Sequence, residues 1–397
     1  MPIRVVHLIT TLETGGAELM LERLLGRMGN DDFFNDVVSL TDIGSVGRRL
    51  INQGFVVHAL GMPSGRLTLG GLVRLWRLLR LEKPAILQTW LYHADLLGLI
   101  FGRLAGISNV CWNIRCSYMQ LAKYRPSTKW TVKLCSFLSG FPTAIITNSK
   151  EAVRVHMNLG YQGDRWKVIP NGFDVEKFKP RKEAKARLLE ELGLAHGGNT
   201  KCGDEEKSEN QRNRLLLIGF VARYDPMKDH STFIKAGCVV LRKRRHVHFV
   251  LVGRGVTWGN RMLAEQIPDL WKDHFHLLGE RSDIQHITAA LDIASSVSHG
   301  EGFPNIIGEA MASGVPCVVT DSGDSDAIVG DTGYAVPSND AAALSAAFLN
   351  LIDVGRLRRE ELGRKARKRI GQHYALAGTV KEYEKLYTTL VKRRRLV

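Results

Sequence analysis

The chain has 397 residues, of which 44% are hydrophobic and 24% charged, and it carries a formal net charge of +15. That size and balance fit a soluble globular protein of two or three domains and exclude a disordered or fibrous chain. Six cysteines are scattered without a Cys-x-x-Cys pair, which argues against a zinc site or disulfide framework and for reduced thiols of the cytosol.

The best candidate for a membrane span, Leu134 to Ser149, is interrupted by Ser, Gly and Pro142, so no segment reads as one. The first residues run straight into an apolar strand, which predicts no signal peptide. The charge is unevenly distributed. Residues 66–133 hold eleven Lys or Arg against Glu82 and Asp95, whereas residues 1–65 hold five basic and seven acidic side chains. The tail adds Lys392, Arg393, Arg394 and Arg395. A local surplus of this kind calls for an anionic partner.

In chain order, short apolar runs predict strands at 3–10, 36–40, 55–60, 85–89, 109–114 and 143–147, with amphipathic helices at 16–28, 70–82 and 92–105 between them. The alternation resumes at 214–221, 247–252, 275–278, 293–297 and 315–320, and the last part of the chain reads as helices ending over 379–391. Strands that alternate with helices and read as continuous apolar runs predict parallel sheets covered on both faces. The fold class expected is α/β: two Rossmann-like, doubly wound domains facing a cleft. Their expected bounds are 1–178 and 179–375, with a C-terminal helix over 376–397 that packs back toward the first domain. Residues 195–213, almost devoid of apolar side chains, read as a flexible insertion. Ligands of such sheets bind beyond the carboxyl ends of the strands, so residues just after strands are the candidates.

Gly15 and Gly16 follow the first strand and open a helix, where backbone N–H groups can approach a phosphate; an ordinary strand-to-helix turn has the same pattern. His93 follows the fourth strand and either donates to a sugar hydroxyl or packs at a helix start. Arg223 and Lys228 follow the first strand of the second series, two cations suited to a diphosphate or to a solvated loop. Gly253-Arg-Gly255-Val-Thr-Trp-Gly259 has one residue too many for a dinucleotide fingerprint and reads as a tight turn bordering a nucleotide. Asp324-Ser325-Asp326 matches a short metal-binding pattern, with no His or acidic cluster near it in sequence to complete a site. The richest segment is Glu301-Gly-Phe-Pro-Asn-Ile-Ile-Gly-Glu309, two carboxylates flanking a predicted helix start at Asn305. Helix N–H groups favour an anion and carboxylates accept from hydroxyls, so the ligand expected there carries both phosphates and hydroxyls.

Taken with Gly15-Gly16-Ala17-Glu18, Asn148-Ser149-Lys150, Ile169-Pro-Asn-Gly-Phe-Asp174, and Arg223 with Lys228, the block from Ser298 to Gly333 resembles the retaining glycosyltransferases of GT-B architecture, family 4. The resemblance spans nearly the whole chain and extends to enzymes that build bacterial O-antigen, capsule and exopolysaccharide. It implies a co-substrate, a UDP- or GDP-linked sugar, with no cofactor and no metal. It implies that Glu309 binds the ribose and Glu301 the transferred sugar, and that the N–H groups of Phe303, Asn305 and Ile306 face sugar and phosphates. Arg223 and Lys228, helped by Gly15-Gly16, would neutralise the diphosphate; His93 would touch the donor sugar, and Leu278 would border the base. Asp229 stands where the family usually has glycine, and the surface-polysaccharide enzymes show a similar Lys-Asp-His. They also resemble the Gly-Asp-Ser at 323–325, which makes Asp324 and Asp326 a family loop.

The basic block falls in the half of the chain that binds the acceptor in this family. On helix 70–82, Arg74, Arg77 and Arg80 share one side; Arg125, Lys129 and Lys133 recur every four residues near Trp130 and Phe137. Basic amphipathic helices suit an anionic membrane. The expectation is a cytoplasmic protein, peripheral on the inner face of the plasma membrane, with a polyprenyl-diphosphate-linked glycan as acceptor. A solvated basic face has the same pattern. No nucleic-acid-binding motif is present. A nucleotide-sugar epimerase or hydrolase on the same fold, and a non-catalytic nucleotide-sugar binder, are the competing functions.

Overall fold

The computed structural model describes residues 2–29, 31–117, 126–194 and 215–395; the insertion read at 195–213 and Arg125 lie outside these. The chain forms two compact units, one of Met1–Gly172 with Leu376–Val397 and one of Phe173–Ala375.

The first unit contains β1 (Ile3–Ile9), β2 (Phe33–Ser39), β3 (Val56–Ala59), β4 (Ile86–Trp90), β5 (Val110–Ile114), β6 (Ala144–Thr147) and β7 (Trp166–Val168). Its helices are α1 (Gly16–Leu25), α2 (Gly44–Asn52), α3 (Leu69–Glu82), α4 (Tyr92–Leu104), α5 (Pro126–Leu138) and α6 (Lys150–Asn158). The seven strands lie in the order β3-β2-β1-β4-β5-β6-β7, all parallel. The second unit contains β8 (Leu216–Val221), β9 (Val247–Val252), β10 (Phe275–Leu277), β11 (Ile293–Ser296), β12 (Cys317–Thr320) and β13 (Tyr334–Val336). Its helices are α7 (Ala184–Glu191), α8 (His230–Lys243), α9 (Arg261–Ala264), α10 (Ile284–Ala290), α11 (Asn305–Ala312), α12 (Ser325–Val329), α13 (Ala341–Asp353) and α14 (Gly355–His373). Its six strands run β10-β9-β8-β11-β12-β13, again all parallel. The chain then ends in α15 (Leu376–Arg395), which belongs to the first unit.

Both sheets are buried on both faces, which is why their inner strands are mostly apolar: β4, β5, β6, β9 and β12 consist of buried residues only. The two strands absent from the sequence reading, β7 and β13, have three residues each and are partly exposed, too short to stand out. Helix α15 is held by Leu376, Val380, Tyr383, Tyr387 and Leu390, a four-three alternation that forms one helical stripe. Tyr383 and Tyr387 are fully buried, each contributing roughly 2 kcal/mol by burial of its ring. Their hydroxyls are satisfied: Asn113 Nδ2 donates to Tyr383 at 2.9 Å, and Tyr387 donates to Gln88 Oε1 at 3.1 Å.

The units divide between Gly172 and Phe173, ahead of the boundary read at 178/179. The physical reason is Phe173 and Phe178, both buried in the second unit's core. Phe173 stacks on Phe303 at 6.0 Å between centroids and lies against Gly308, where an added Cβ would meet its ring at 2.1 Å.

In each sheet the strand order reverses once, between β1 and β4 and between β8 and β11. Loops leaving the two central strands diverge there, and the resulting crevice at the carboxyl ends is where open α/β sheets bind ligands. Gly15-Gly16 and His93 follow β1 and β4; Arg223 with Lys228 and the Glu301 segment follow β8 and β11. The fold therefore brings each set to a switch point.

Candidate active site

In the second unit the β8–α8 and β11–α11 loops are stitched together through one carbonyl. Met227 O accepts the His299 N–H at 3.0 Å and the Ser298 hydroxyl at 2.8 Å. The second loop is fixed from β12 as well: the Ser298 N–H donates to Thr320 Oγ1, which donates to Ser298 O, both at 2.9 Å. This registration sets Lys228 against Glu301, and the two form an ion pair. Arg223, its side chain 55% exposed, is steered by Asp225, whose Oδ2 accepts from Nη2 at 2.9 Å. Asp225 in turn accepts the Met227 N–H at 2.9 Å. Burial opposes ionisation of Asp225, but that N–H and the guanidinium hold its carboxyl below the ordinary value.

Burial, reinforced by the Arg223 charge, brings the Lys228 ammonium down to about 8, against the opposing pull of Asp225. The adjoining Glu301 carboxylate favours the charged form as well. Asp229, the departure from the family pattern, caps α8: its Oδ1 accepts the Thr232 N–H at 3.0 Å. The lysine loop thus ends in a helix cap that glycine could not supply through a side chain.

Glu301 itself is positioned from below. Gly323, at φ +64°, lets its backbone reach the Glu301 carbonyl; a Cβ there would stand 2.2 Å from that oxygen. The Asp324 N–H donates to Gly302 O at 3.1 Å. Asp324 is the residue before α12 and Asp326 lies in its first turn, so the Asp-Ser-Asp segment opens a helix. Among the described residues no group of three or more His, Cys, Asp or Glu is placed to hold a metal ion.

Helix α11 begins after Pro304, which suits a helix start because it needs no N–H. Asn305 and Ile306 form its first turn, and Glu309 lies one turn further in, buried. The Phe303 ring is packing material, stacked on Phe173 and edge-on to Tyr374 at 5.6 Å. Leu278 follows β10, its N–H bonded to Leu251 O at 2.9 Å. The glycine-rich turn after β9 docks beside the same loops, with the Tyr224 N–H donating to Arg254 O at 2.8 Å.

The carboxyl edge of the first sheet is built differently. Leu91 adopts φ +73°, a strained value for a branched residue, and so swings the chain from β4 into α4, placing Tyr92 and His93 at the helix start. His93 Nε2 is shielded from solvent and has no hydrogen-bond partner among the described residues, and burial lowers the imidazole pKa. After β1, Gly15 precedes α1 with the Glu18 carboxylate folded over it; a Cβ at Gly15 would meet Glu18 Oε2 at 2.4 Å. Burial raises Glu18, against its own N–H and the field of Arg115. Arg115 escaped the sequence reading, although it follows β5 as His93 follows β4. Its Nη2 donates to Asn171 Oδ1 at 2.5 Å, and its guanidinium lies 5.4 Å from the Trp90 ring centroid. The strand-end rule alone would have found it.

The basic helices lie elsewhere in this unit. Arg74, Arg77 and Arg80 are exposed on α3, with Leu75 and Leu79 buried beneath. Lys129 and Lys133 lie on α5, whose Trp130 and Phe137 are 66% and 79% exposed. Arg80 and Lys133 lie over Trp76 and Trp130, at 5.3 and 5.4 Å.

Two doubly wound parallel sheets with polar loops at both switch points are the architecture of GT-B glycosyltransferases. Solved structures agree: Anabaena HepE in complex with UDP-glucose superposes with a TM-score of 0.80 at 20% identity, covering 98% of this chain and all of that one. Sucrose-phosphate synthase from Thermosynechococcus elongatus superposes at 0.78 with 15% identity, over 98% and 100%. The profile of Glycosyltransferase Family 4 matches residues 14–177, and that of Glycosyl transferases group 1 matches residues 216–354. The chain belongs to glycosyltransferase family 4. It is 27% identical over 326 residues to the Escherichia coli UDP-Gal:alpha-D-GlcNAc-diphosphoundecaprenol alpha-1,3-galactosyltransferase, covering 81% of this chain and 79% of that protein. It is also 27% identical to the putative glycosyltransferase EpsF of Bacillus subtilis, over 80% and 79%. No helix among the described residues is long and apolar enough to cross a membrane.

Proposed function

We propose that this glycosyltransferase of polysaccharide biosynthesis moves a hexose-type sugar from a UDP- or GDP-sugar to a lipid-linked glycan, with retention at the anomeric carbon and without a metal. The observation that carries the reading is the convergence of Arg223, Lys228 and Glu301 with the start of α11 at one switch point. In the reaction, the bond from the anomeric carbon to the diphosphate oxygen breaks, leaving an oxocarbenium-like sugar and a more negative diphosphate. Arg223 and Lys228 stabilise that charge as it grows, together with the N–H groups at the start of α11. The acceptor hydroxyl attacks from the same face and passes its proton to the departing phosphate oxygen, so no side chain acts as a nucleophile. A diphosphate competes with Glu301 for the Lys228 ammonium, which turns the carboxylate toward the sugar hydroxyls. In the second unit Glu309 accepts from the ribose and Leu278 borders the base; in the first, Gly15-Gly16 suits phosphates and His93 suits a sugar hydroxyl.

The acceptor reading draws on the Escherichia coli relative, whose substrate is a diphosphoundecaprenol-linked sugar. It also draws on the exposed cationic and aromatic helices α3 and α5, which suit an anionic inner leaflet. Product analysis with a panel of UDP- and GDP-sugars and a polyprenyl-diphosphate-linked acceptor tests the proposal. A new α-glycosidic product formed at an unchanged rate in EDTA supports it. Free sugar, an epimerised nucleotide sugar, or an inverted linkage would each replace it with a different reaction.

A further inference from the structure

The second unit has a cavity of about 1050 Å³ that takes no part in the site above. Leu291 and Asp292, on its wall, immediately precede β11, and Val315 and Pro316 precede β12. It therefore lies at the amino ends of the two strands whose carboxyl ends carry Ser298 and Asp321. Each strand has four residues, so roughly 13 Å of sheet separates the two ends.

The lining is amphipathic. Leu189, Ala290, Leu291 and Val315 give it buried apolar surface. Around them stand seven Lys or Arg side chains against only two carboxylates. Those carboxylates are already engaged: Asp292 pairs with Lys185 at 2.7 Å and accepts the Leu217 N–H at 2.8 Å, and Glu360 pairs with Arg356 at 2.7 Å. Helix capping accounts for two further cations. Arg359, buried, donates to Leu351 O and Ile352 O at the end of α13, both at 3.0 Å. Arg367 reaches Ala312 O at the end of α11 and Phe178 O at 2.9 Å. These carbonyls satisfy donors but leave both charges uncancelled.

Among the described residues, capping and ion pairing do not account for Arg181, Lys182 and Arg364. Lys182 and Arg364 are exposed at the rim. Arg181 Nη2 donates to Lys177 O at 3.4 Å, but its Nε is shielded from solvent without a hydrogen-bond partner among the described residues, a costly arrangement for a charged donor that an anion would relieve. Neighbouring cations and an apolar floor in one cavity match a phosphate or diphosphate group attached to a less polar body.

We propose that this cavity is a second anion site, separate from the donor site, which binds an organic phosphate through Arg181, Lys182 and Arg364. The same chemistry is offered by a soluble sugar or nucleoside phosphate and by a phosphate-bearing lipid headgroup. The probe is inorganic pyrophosphate, titrated calorimetrically into the full-length protein, into Arg181→Ala/Arg364→Ala, and into Arg223→Ala/Lys228→Ala. The expected result is two binding events in the unaltered protein and one in each variant. UDP should compete with the event retained by Arg181→Ala/Arg364→Ala and not with the other. Loss of the two guanidinium groups should weaken the second event by about tenfold each. Both truncated side chains reach solvent, and an unchanged near-ultraviolet circular dichroism spectrum would verify the fold. Full-strength binding of both equivalents by Arg181→Ala/Arg364→Ala overturns the proposal, as does a single event in the unaltered protein. Vesicles of phosphatidylcholine with phosphatidic acid separate the sources: sedimentation weakened in Arg181→Ala/Arg364→Ala assigns a lipid headgroup, and unchanged sedimentation with weakened pyrophosphate binding assigns a soluble phosphate.

Discussion

The two sheets share a topology and differ in what they place at the reversal of strand order. At the second switch point the side chains are charged and paired with one another: Arg223 with Asp225, Lys228 with Glu301. At the first, Glu18 and Arg115 stand among aromatic and neutral side chains: His7 bonds Asn35 at 3.1 Å and accepts from Trp90 Nε1 at 3.3 Å, Trp90 stacks on Tyr383, and His93 keeps a buried imidazole nitrogen. The first unit's large basic surplus is carried on helices such as α3 and α5 instead. The lesson is that one fold can separate two tasks. On the proposed function, the paired charges at the second edge would serve a leaving group that becomes more negative, and the more aromatic first edge would serve hydroxyls.

The largest test of that contrast removes a charge from one edge and a ring from the other. Lys228→Ala should lower kcat/KM by about 100- to 1000-fold, the scale for losing one stabiliser of developing charge. His93→Ala should act mainly on kcat and leave UDP affinity within about threefold. Steady-state kinetics and UDP calorimetry check both. Equal loss of UDP affinity in the two variants would break the division of labour. Next in size, Arg74→Ala/Arg77→Ala/Arg80→Ala should reduce sedimentation with phosphatidylserine vesicles by about 100-fold, at ~1 kcal/mol per surface cation. Turnover of a water-soluble acceptor analogue should be unaffected, and undiminished vesicle binding would remove α3 from the docking face.

Much of the fold was legible because parallel strands covered on both faces leave an apolar signature that polar loops interrupt. The short strands β7 and β13 leave too few residues for that signature. The site was legible as residue types and hidden as geometry. Lys228 and Glu301 are 73 positions apart, and what pairs them is the Met227 main-chain carbonyl, which no side-chain pattern announces. Phe303 shows the converse: it lies between the candidate carboxylates, yet its ring is committed to Phe173 and Tyr374. Arg115 lay in an unremarkable Ile-Arg-Cys, without a glycine or a second charge to draw notice.

Smaller effects probe how each edge is supported. Gly323→Ala forces a Cβ against the Glu301 carbonyl at φ +64°, so it should cost roughly 1–3 kcal/mol in urea denaturation and weaken donor binding with it. Tyr387→Phe in the first unit removes only the hydroxyl that donates to Gln88, and should cost ~1 kcal/mol with no change in UDP affinity. A matching fall in UDP affinity for both variants would show that the edges are not independent.

The smallest effect is also the most selective. Lys228, brought by burial to about 8, loses its proton in mildly alkaline solution, whereas burial moves His93 in the acid direction. A diphosphate binds the ammonium form, so donor affinity should be level below about pH 8 and fall above it, about threefold between roughly pH 7.5 and 8.5. Stability must move the other way. The folded lysine holds its proton less tightly than the unfolded one, so between about 8 and its ordinary value of 10.5 the unfolded chain binds more protons and this group's contribution to stability rises with pH. Lys228→Arg separates the two effects, because a guanidinium stays charged: the alkaline loss of affinity should vanish while some donor binding remains. An alkaline limb that persists in Lys228→Arg would assign the titration to another group and cost the second switch point its claim to the diphosphate.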